Sequence, residues 1–180
     1  MKKTFYKTGI LILIVCSGIC SCNKQKNFPG ETTEGKNVLG CFINGVSFLP
    51  CVDFLQWRIK AQGYPLSPTH YVIGVSARNN CDSKYEYGRS IIISFDSIQI
   101  EENKTYKLGR FYDGKKGQVS CLYSVDLKSF TSDSALDGTI TVRKFDIQRR
   151  ILSASFNAIL KQRDSTGTAS LTQGTFDVMY

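Results

Sequence analysis

The sequence contains one histidine, His70, and no Cys-x-x-Cys pair. A zinc site built from its cysteines and His70 would lack the usual ligand spacing. No Gly-x-Ser-x-Gly motif is present, so His70 has no nucleophile elbow to serve and reads as a loop histidine at the mouth of a strand. Glu101-Glu102 is the one adjacent pair of carboxylates. Neighbours on a strand point to opposite faces, whereas a glycosidase needs two carboxyls about 5–9 Å apart across one cleft. The stretch Gly109–Gly117 is glycine-rich, but no helix follows it to lend a dipole to a phosphate. Basic residues are scattered, and their tightest clusters, Lys115-Lys116, Arg143-Lys144 and Arg149-Arg150, fall at or near predicted turns. Nucleic acid is therefore not an expected partner. No segment carries a helical apolar period, and past the N-terminal region no run is apolar and long enough to cross a membrane. These absences predict no catalytic residue, no metal and no cofactor.

What the chain does have begins at its N-terminus. Lys2, Lys3 and Lys7 precede an apolar stretch, Gly9 to Ile19, that is too short to span a bilayer. Ile19-Cys20-Ser21-Cys22 follows. Small Ser21 stands just before Cys22 and aliphatic Ile19 three residues before it, which is the grammar of a bacterial lipoprotein signal. Cleavage before Cys20 would place bulky Ile19 at the cut. Residues 1–21 are therefore read as a signal peptide, and Cys22 as the acylated, palmitate-bearing first residue of the mature protein. One acyl chain holds weakly and two or more hold firmly, at about 0.8 kcal/mol per buried CH₂. Removing the leader takes 3 of the 23 Lys and Arg, leaving 20 against 15 Asp and Glu, a net charge of +5.

Residues 22–37, through NKQKNFPGETTEGKN, are polar and without apolar period, and are read as a lipidated cysteine on a flexible tether. From Val38 the period becomes two. Cys41-Phe42-Ile43, then Asn44-Gly45, then Val46-Ser47-Phe48 predicts a β-hairpin on a type I′ turn. Residue i then faces residue 89 − i, which puts Cys41 opposite Phe48 and Ile43 opposite Val46 on one core-facing side. Further strands are predicted at 53–61, 70–78, 90–99, 104–109 and 118–127. In the last third, strands through Ile140-Val142, Leu152–Leu160 and 168–180 are joined by turns at Asp146–Arg149 and Asp164–Gly167, with Gly174 at a bulge. Asp96, Asp126, Asp146 and Asp177 fall on solvent faces or turns. The expected fold is all-β: one antiparallel, meander-type barrel or sandwich of about eight to ten strands over residues 38–180.

Four cysteines remain in that domain: Cys41, Cys51, Cys81 and Cys121. The hairpin register places Cys51 opposite residue 38, an offset of about 10 Å from Cys41 at the usual strand rise, beyond the roughly 7 Å a disulfide tolerates. Cys51 ends one strand and Cys81 returns to the same end two strands later. Cys51–Cys81 is the expected bridge. Cys41 and Cys121 lie on apolar faces and are expected as buried thiols, or as a second bridge where their strands meet.

Aromatic residues in polar stretches are the candidate ligand contacts: Tyr64, Tyr85, Tyr87, Phe111 and Tyr112, beside Arg89, Arg110, Asp113 and Lys115. Such rings can stack on sugars or grip a protein, or they can fold back and cap the core.

Three stretches carry a resemblance: Gly40-Cys41-x-Ile43-Asn44-Gly45-x-x-Phe48-x-Pro50, Gly138-Thr139-Ile140-Thr141-Val142 running to Phe156, and Thr172-x-Gly174-x-Phe176-Asp177-Val178-x-Tyr180. Together they resemble a family of uncharacterised, lipid-anchored β-sheet lipoproteins of Bacteroidota-type bacteria. The family pattern more often has Gly after the first Ser of Ser153-Ala154-Ser155-Phe156. The resemblance implies an outer-membrane address in the cell envelope and an all-β fold, and it brings no catalytic residue, cofactor or ligand. The expected function is a non-enzymatic envelope lipoprotein that binds a ligand or partner, a glycan or an envelope protein, at one open end of the sheet. The alternatives are a structural or assembly component of the outer membrane and, ranked last, a hydrolase with an unrecognised site. An apolar cavity lined by Trp57, Tyr71 and Phe156 would favour a small ligand.

Overall fold

The computed structural model describes residues 29–51, 58–111 and 116–180. The predicted leader, Cys22, and the residues Trp57 and Tyr112 lie outside them, as do Asp113, Lys115 and most of the predicted 53–61 strand. The described residues form eleven strands in one antiparallel sheet. They are β1 (Val38–Ile43), β2 (Val46–Phe48), β3 (Ile59–Pro65), β4 (Tyr71–Asn79), β5 (Arg89–Ile98), β6 (Thr105–Lys107), β7 (Gln118–Val125), β8 (Lys128–Thr131), β9 (Gly138–Asp146), β10 (Ile151–Gln162) and β11 (Thr168–Met179).

The main path runs β2-β1-β11-β10-β8-β7-β5-β4-β3, with β9 paired beside β10 and β6 beside β9. Sequence neighbours pair as a meander, while β1 crosses to lie on β11, with Val38 opposite Asp177. The sheet folds over on itself without closing, leaving β2 and β3 as its edges. At one end the seam is stitched. Cys51 N–H donates to Arg78 O at 2.9 Å, and Asn80 N–H to Cys51 O at 2.7 Å. The Cys51–Cys81 disulfide crosses the same place, with Cα atoms 5.6 Å apart.

Alternation dictates the facing. Tyr71, Ile73, Val75 and Ala77 of β4, and Ile91, Ile93 and Phe95 of β5, all point into the core, as do Leu152, Ala154, Phe156, Ala158 and Leu160 of β10. The core is filled. Phe156 packs on Phe176, and a Cβ on Gly174 would come within 2.4 Å of the Phe156 ring, so glycine is what lets that ring lie flat on β11. The β-bulge sits beside it, where the pairing shifts between Phe156/Gly174 and Ala158/Leu171, and Gln173 takes a positive φ of 51°. Tyr71 meets Phe145 edge-on at 5.0 Å.

The hairpin follows the predicted register, Cys41 to Phe48 and Ile43 to Val46, over Asn44 and Gly45 at φ of 49° and 77°. Cys41, Ile43 and Phe48 are buried. Val46 is not: it is 50% exposed, because β2 is an edge strand and its first residue overhangs the core. Four further corrections follow. Strand β3 runs on through Gly63, Tyr64 and Pro65, so Tyr64 is a strand residue and not a loop one. Strand β8 was not anticipated, since Lys-Ser-Phe-Thr offers a single apolar residue to alternate. Residues 29–37, read as tether, are docked on the outer face of the sheet. Asp177, read as a solvent-facing residue, is buried beneath them at 1% exposure.

Candidate functional site

A cleft of about 600 Å³ opens at the stitched end of the sheet, between the edge strand β2 and the loop that links β4 to β5. Ser47, Leu49 and Pro50 form one wall, the Cys51–Cys81 disulfide the floor, and Asn79, Asp82, Ser83 and Arg89 the other wall. Its position follows from the sequence. Pro50 cannot continue the ladder of β2, and the Asn79-Asn80 step ends β4 at the same level. The disulfide fixes the two departing segments to each other.

Arg89, the first residue of β5, is the unusual group here. It is 4% exposed, although isolated charges are costly to bury. Its guanidinium lies over the Tyr85 ring at 4.6 Å and near the Phe48 ring at 5.6 Å, so two aromatic faces take the place of part of its water shell. Its Nη2 donates to Asp82 Oδ2 at 3.2 Å, a single contact with a carboxylate that is itself 37% exposed. Its Nε is buried with no partner. Asn79, directly opposite in the β4–β5 ladder, donates from Nδ2 to Leu49 O at 2.7 Å. A carbonyl only accepts, so the amide nitrogen must face it, and Oδ1 at the other end is buried without a donor. Two residues that line the cleft thus hold a buried donor and a buried acceptor without hydrogen-bond partners. Buried polar groups in folded proteins are almost always partnered.

The field of Arg89 reaches further in. Burial pushes the Tyr123 hydroxyl up to about 12 against the opposing pull of Arg89. Burial also raises the Cys41 thiol, with Cys121 adding to the rise and Arg89 opposing it. Burial alone pushes Cys121 up to about 12. Both cysteines are reduced and enclosed.

The predicted aromatic contacts do not converge. Tyr85, half-buried, and Tyr87, 61% exposed, lie in the loop between β4 and β5, at the cleft end. Tyr64 pairs with Val72 near the opposite end of β4 and is exposed there. Phe111 is not an exposed ring: it is buried, and its N–H donates to Ser132 O at 3.2 Å. Tyr71 and Phe156 are packed into the core and do not line a cavity for a small ligand. His70 is exposed, its Nδ1 within 3.0 Å of Thr69 Oγ1 and 3.3 Å of Ser67 Oγ in its own turn. Glu101 is held by Lys104 at 2.6 Å. Glu102 accepts from Phe145 N–H at 3.0 Å and pairs with Lys144, and these bonds hold its carboxyl below the usual range. Among the described residues no three metal-ligating side chains converge. A second groove of about 660 Å³ runs over Lys107, Thr139, Ile159 and Thr172, but outward strand side chains line it and no buried charge faces it.

On the outer face of β9, β10 and β11 the docked segment forms a separate polar cluster. Asp177 accepts hydrogen bonds from Thr32 Oγ1 at 2.6 Å and from the N–H groups of Glu34, Gly35 and Lys36 at 3.0, 2.9 and 3.2 Å. Burial works to raise its carboxyl pKa, and these four bonds together outweigh it and lower the value. Ser153 donates to Thr32 O at 2.7 Å. Arg143 Nη1 lies 2.8 Å from Glu31 Oε1, an ion pair whose angle is poor for a hydrogen bond.

Fold and site together define an all-β domain with a polar cleft, built around a buried arginine, at one end of an unclosed sheet. No protein-family model, curated protein or solved structure matches the chain. The resemblance set out above rests on its three motifs alone.

Proposed function

We propose that the chain is a lipid-anchored envelope lipoprotein that binds a small ligand, without turning it over, in the cleft at Arg89. The observation that carries this reading is the buried guanidinium whose Nε has no hydrogen-bond partner, on a residue paired in the ladder with Asn79, whose Oδ1 also has none. A buried charge with an incomplete set of partners is a poor choice for a purely structural role, since a well-packed apolar residue is often as stable there. The cleft volume falls within the range of small-molecule sites. Anchoring rests on the Ile19-Cys20-Ser21-Cys22 motif. Docking of residues 29–37 on the sheet leaves seven steps from Cys22 to Pro29, which fully extended span at most about 25 Å. An acylated Cys22 would therefore hold the sheet close to the bilayer surface.

Two experiments test the parts separately. Cys22→Ala should abolish acylation and release the protein into the soluble envelope fraction. Continued membrane fractionation of that variant, with no lipid on the wild type, overturns the anchor. For the cleft, mass spectrometry of small molecules co-purifying with the full chain should find a species that is lost in Ser47→Trp, which fills the cleft. A species retained by Ser47→Trp would place the binding site elsewhere.

A further inference from the structure

We infer that the cleft takes an acidic sugar, a pyranose bearing one carboxylate, and that Asp82 occupies the carboxylate's place on Arg89 when the site is empty. The inference rests on the cleft being a ligand site and names the chemistry of that ligand.

The argument starts from Asp82. Arginine and carboxylate prefer a two-point fork, with parallel N–H···O bonds at about 2.7–2.9 Å. Asp82 offers one contact at 3.2 Å, from a side chain more than one-third exposed, on the loop between β4 and β5. Asp82 divides its carboxylate, Oδ1 accepting from Lys84 N–H at 3.2 Å in its own turn, so only Oδ2 is given to Arg89. Asp82 neutralises Arg89 without satisfying it. Its neighbour Cys81 is tied to Cys51, which holds the loop backbone at the cleft and leaves the Asp82 side chain as the part that swings off Arg89.

The second line is the remaining chemistry. An incoming carboxylate answers the guanidinium, whose Nε lacks an acceptor. Asn79 Oδ1 lacks a donor, which a carboxylate cannot supply and a neighbouring hydroxyl can. Both atoms are buried in this structure, so Asp82 must move aside before a ligand reaches them. Ser47 and Ser83 add two hydroxyls to the walls. The Tyr85 ring is taken up by Arg89 and does not line the cleft itself. A carboxylate flanked by hydroxyl donors describes a uronic acid. An extended peptide ending in a carboxylate would need a run of unpaired main chain along β2, and β2 is three residues long.

The test is calorimetric titration of the full chain, purified in detergent, with sodium glucuronate and with glucose as the neutral control. Wild type should bind glucuronate saturably and glucose at least tenfold more weakly. Asp82→Asn removes the internal competitor and should tighten glucuronate about tenfold while leaving glucose unchanged. Glucuronate should also raise the melting temperature of Asp82→Asn more than that of wild type. Arg89→Gln should lose glucuronate binding. Should Arg89→Gln fail to fold, the Asp82→Asn result decides the matter by itself. Asp82→Asn binding glucuronate no better than wild type makes the Arg89–Asp82 pair structural and overturns the inference. Equal binding of glucose and glucuronate overturns it too, while leaving the cleft as a ligand site. Binding of neither sugar overturns it, and the Ser47→Trp comparison then decides whether the cleft is a site at all.

Discussion

Asp177→Asn is the most informative single substitution away from the cleft. The side chain keeps its shape and one carbonyl oxygen. It loses the charge, and it turns an NH₂ toward donors that a carboxylate had accepted. A hydrogen bond to a charged group contributes about 1.5–3 kcal/mol net, and Asp177 receives four. These do not add, because the same bonds order residues 32–36, and fixing a backbone costs about 1–2 kcal/mol per residue. The expected net loss is about 2–3 kcal/mol, which for a domain of this size lowers the melting temperature by about 4–12 °C. The loss should be local first, so amide exchange at Glu34, Gly35 and Lys36 should quicken before that of β10. The pH dependence has a definite sign. The folded-state carboxyl is lowered relative to the unfolded one, near 3.9. Asp177 therefore stabilises fully above about pH 4, and its contribution is lost as pH falls through the folded-state value. Asp177→Asn should flatten that part of the acid limb. Denaturant melts at neutral and acid pH, with exchange measured in parallel, check all three points. A variant that melts like wild type, with the three amides still protected, refutes the assignment of Asp177 as the clamp.

Three further outcomes are expected. Phe48→Ala should cost about 3–5 kcal/mol in denaturant melts, as a fully buried large-to-small change; a cost near zero would mean the hairpin is marginal to the core. Replacing Cys51 and Cys81 together by Ala should cost about 3–4 kcal/mol in the chain-entropy model for a separation of 30 residues, and non-reducing peptide maps should show only that bridge. Cys41 and Cys121 should not react with a thiol reagent at pH 8 until the chain is unfolded, since both are buried and burial raises both thiols; rapid labelling of native protein would show that the core opens.

Much of the sheet was legible because alternation is a direct record of facing. Tyr71, Ile73, Val75 and Ala77 say which side of β4 is dry, and Asn44-Gly45 sets a turn whose register then places Cys41 against Phe48. The same rule fails wherever something covers the outer face. Ser153 and Asp177 alternate as solvent residues should, yet both are enclosed, because residues 29–37 lie over them. That segment is polar and rich in turn formers, so nothing in its own composition announces that it docks. The site fails to show for a related reason. Arg89 looks like one more basic residue beside aromatics. Its burial depends on Phe48, 41 positions earlier, and on a loop drawn in by the disulfide. Phe111, Tyr64 and Tyr85 share a sequence character and occupy three different places. The signal that could have found Arg89 was the predicted Cys51–Cys81 bridge, since it brings Pro50 and Asn79-Asn80 to one end of the sheet.

The crossing of β1 onto β11 sets an order of assembly. Strands β3, β4 and β5 can pair with their immediate neighbours as soon as they are made. Strand β1 can close its hairpin with β2 at once, but its other edge has no partner until β11 is made, and Val38 must wait for Asp177. The clamp on Thr32 waits for the same residue, 145 positions away. Pairing over such distances is slow, because the loop must close before the contact repays it. The β1–β2 hairpin should therefore stay undocked from the rest of the sheet until the last strand arrives, and the wall of the cleft that β2 supplies should be placed last. Pulsed hydrogen exchange during refolding should protect β4 and β5 before β1; simultaneous protection would show that the two halves of the sheet form as one.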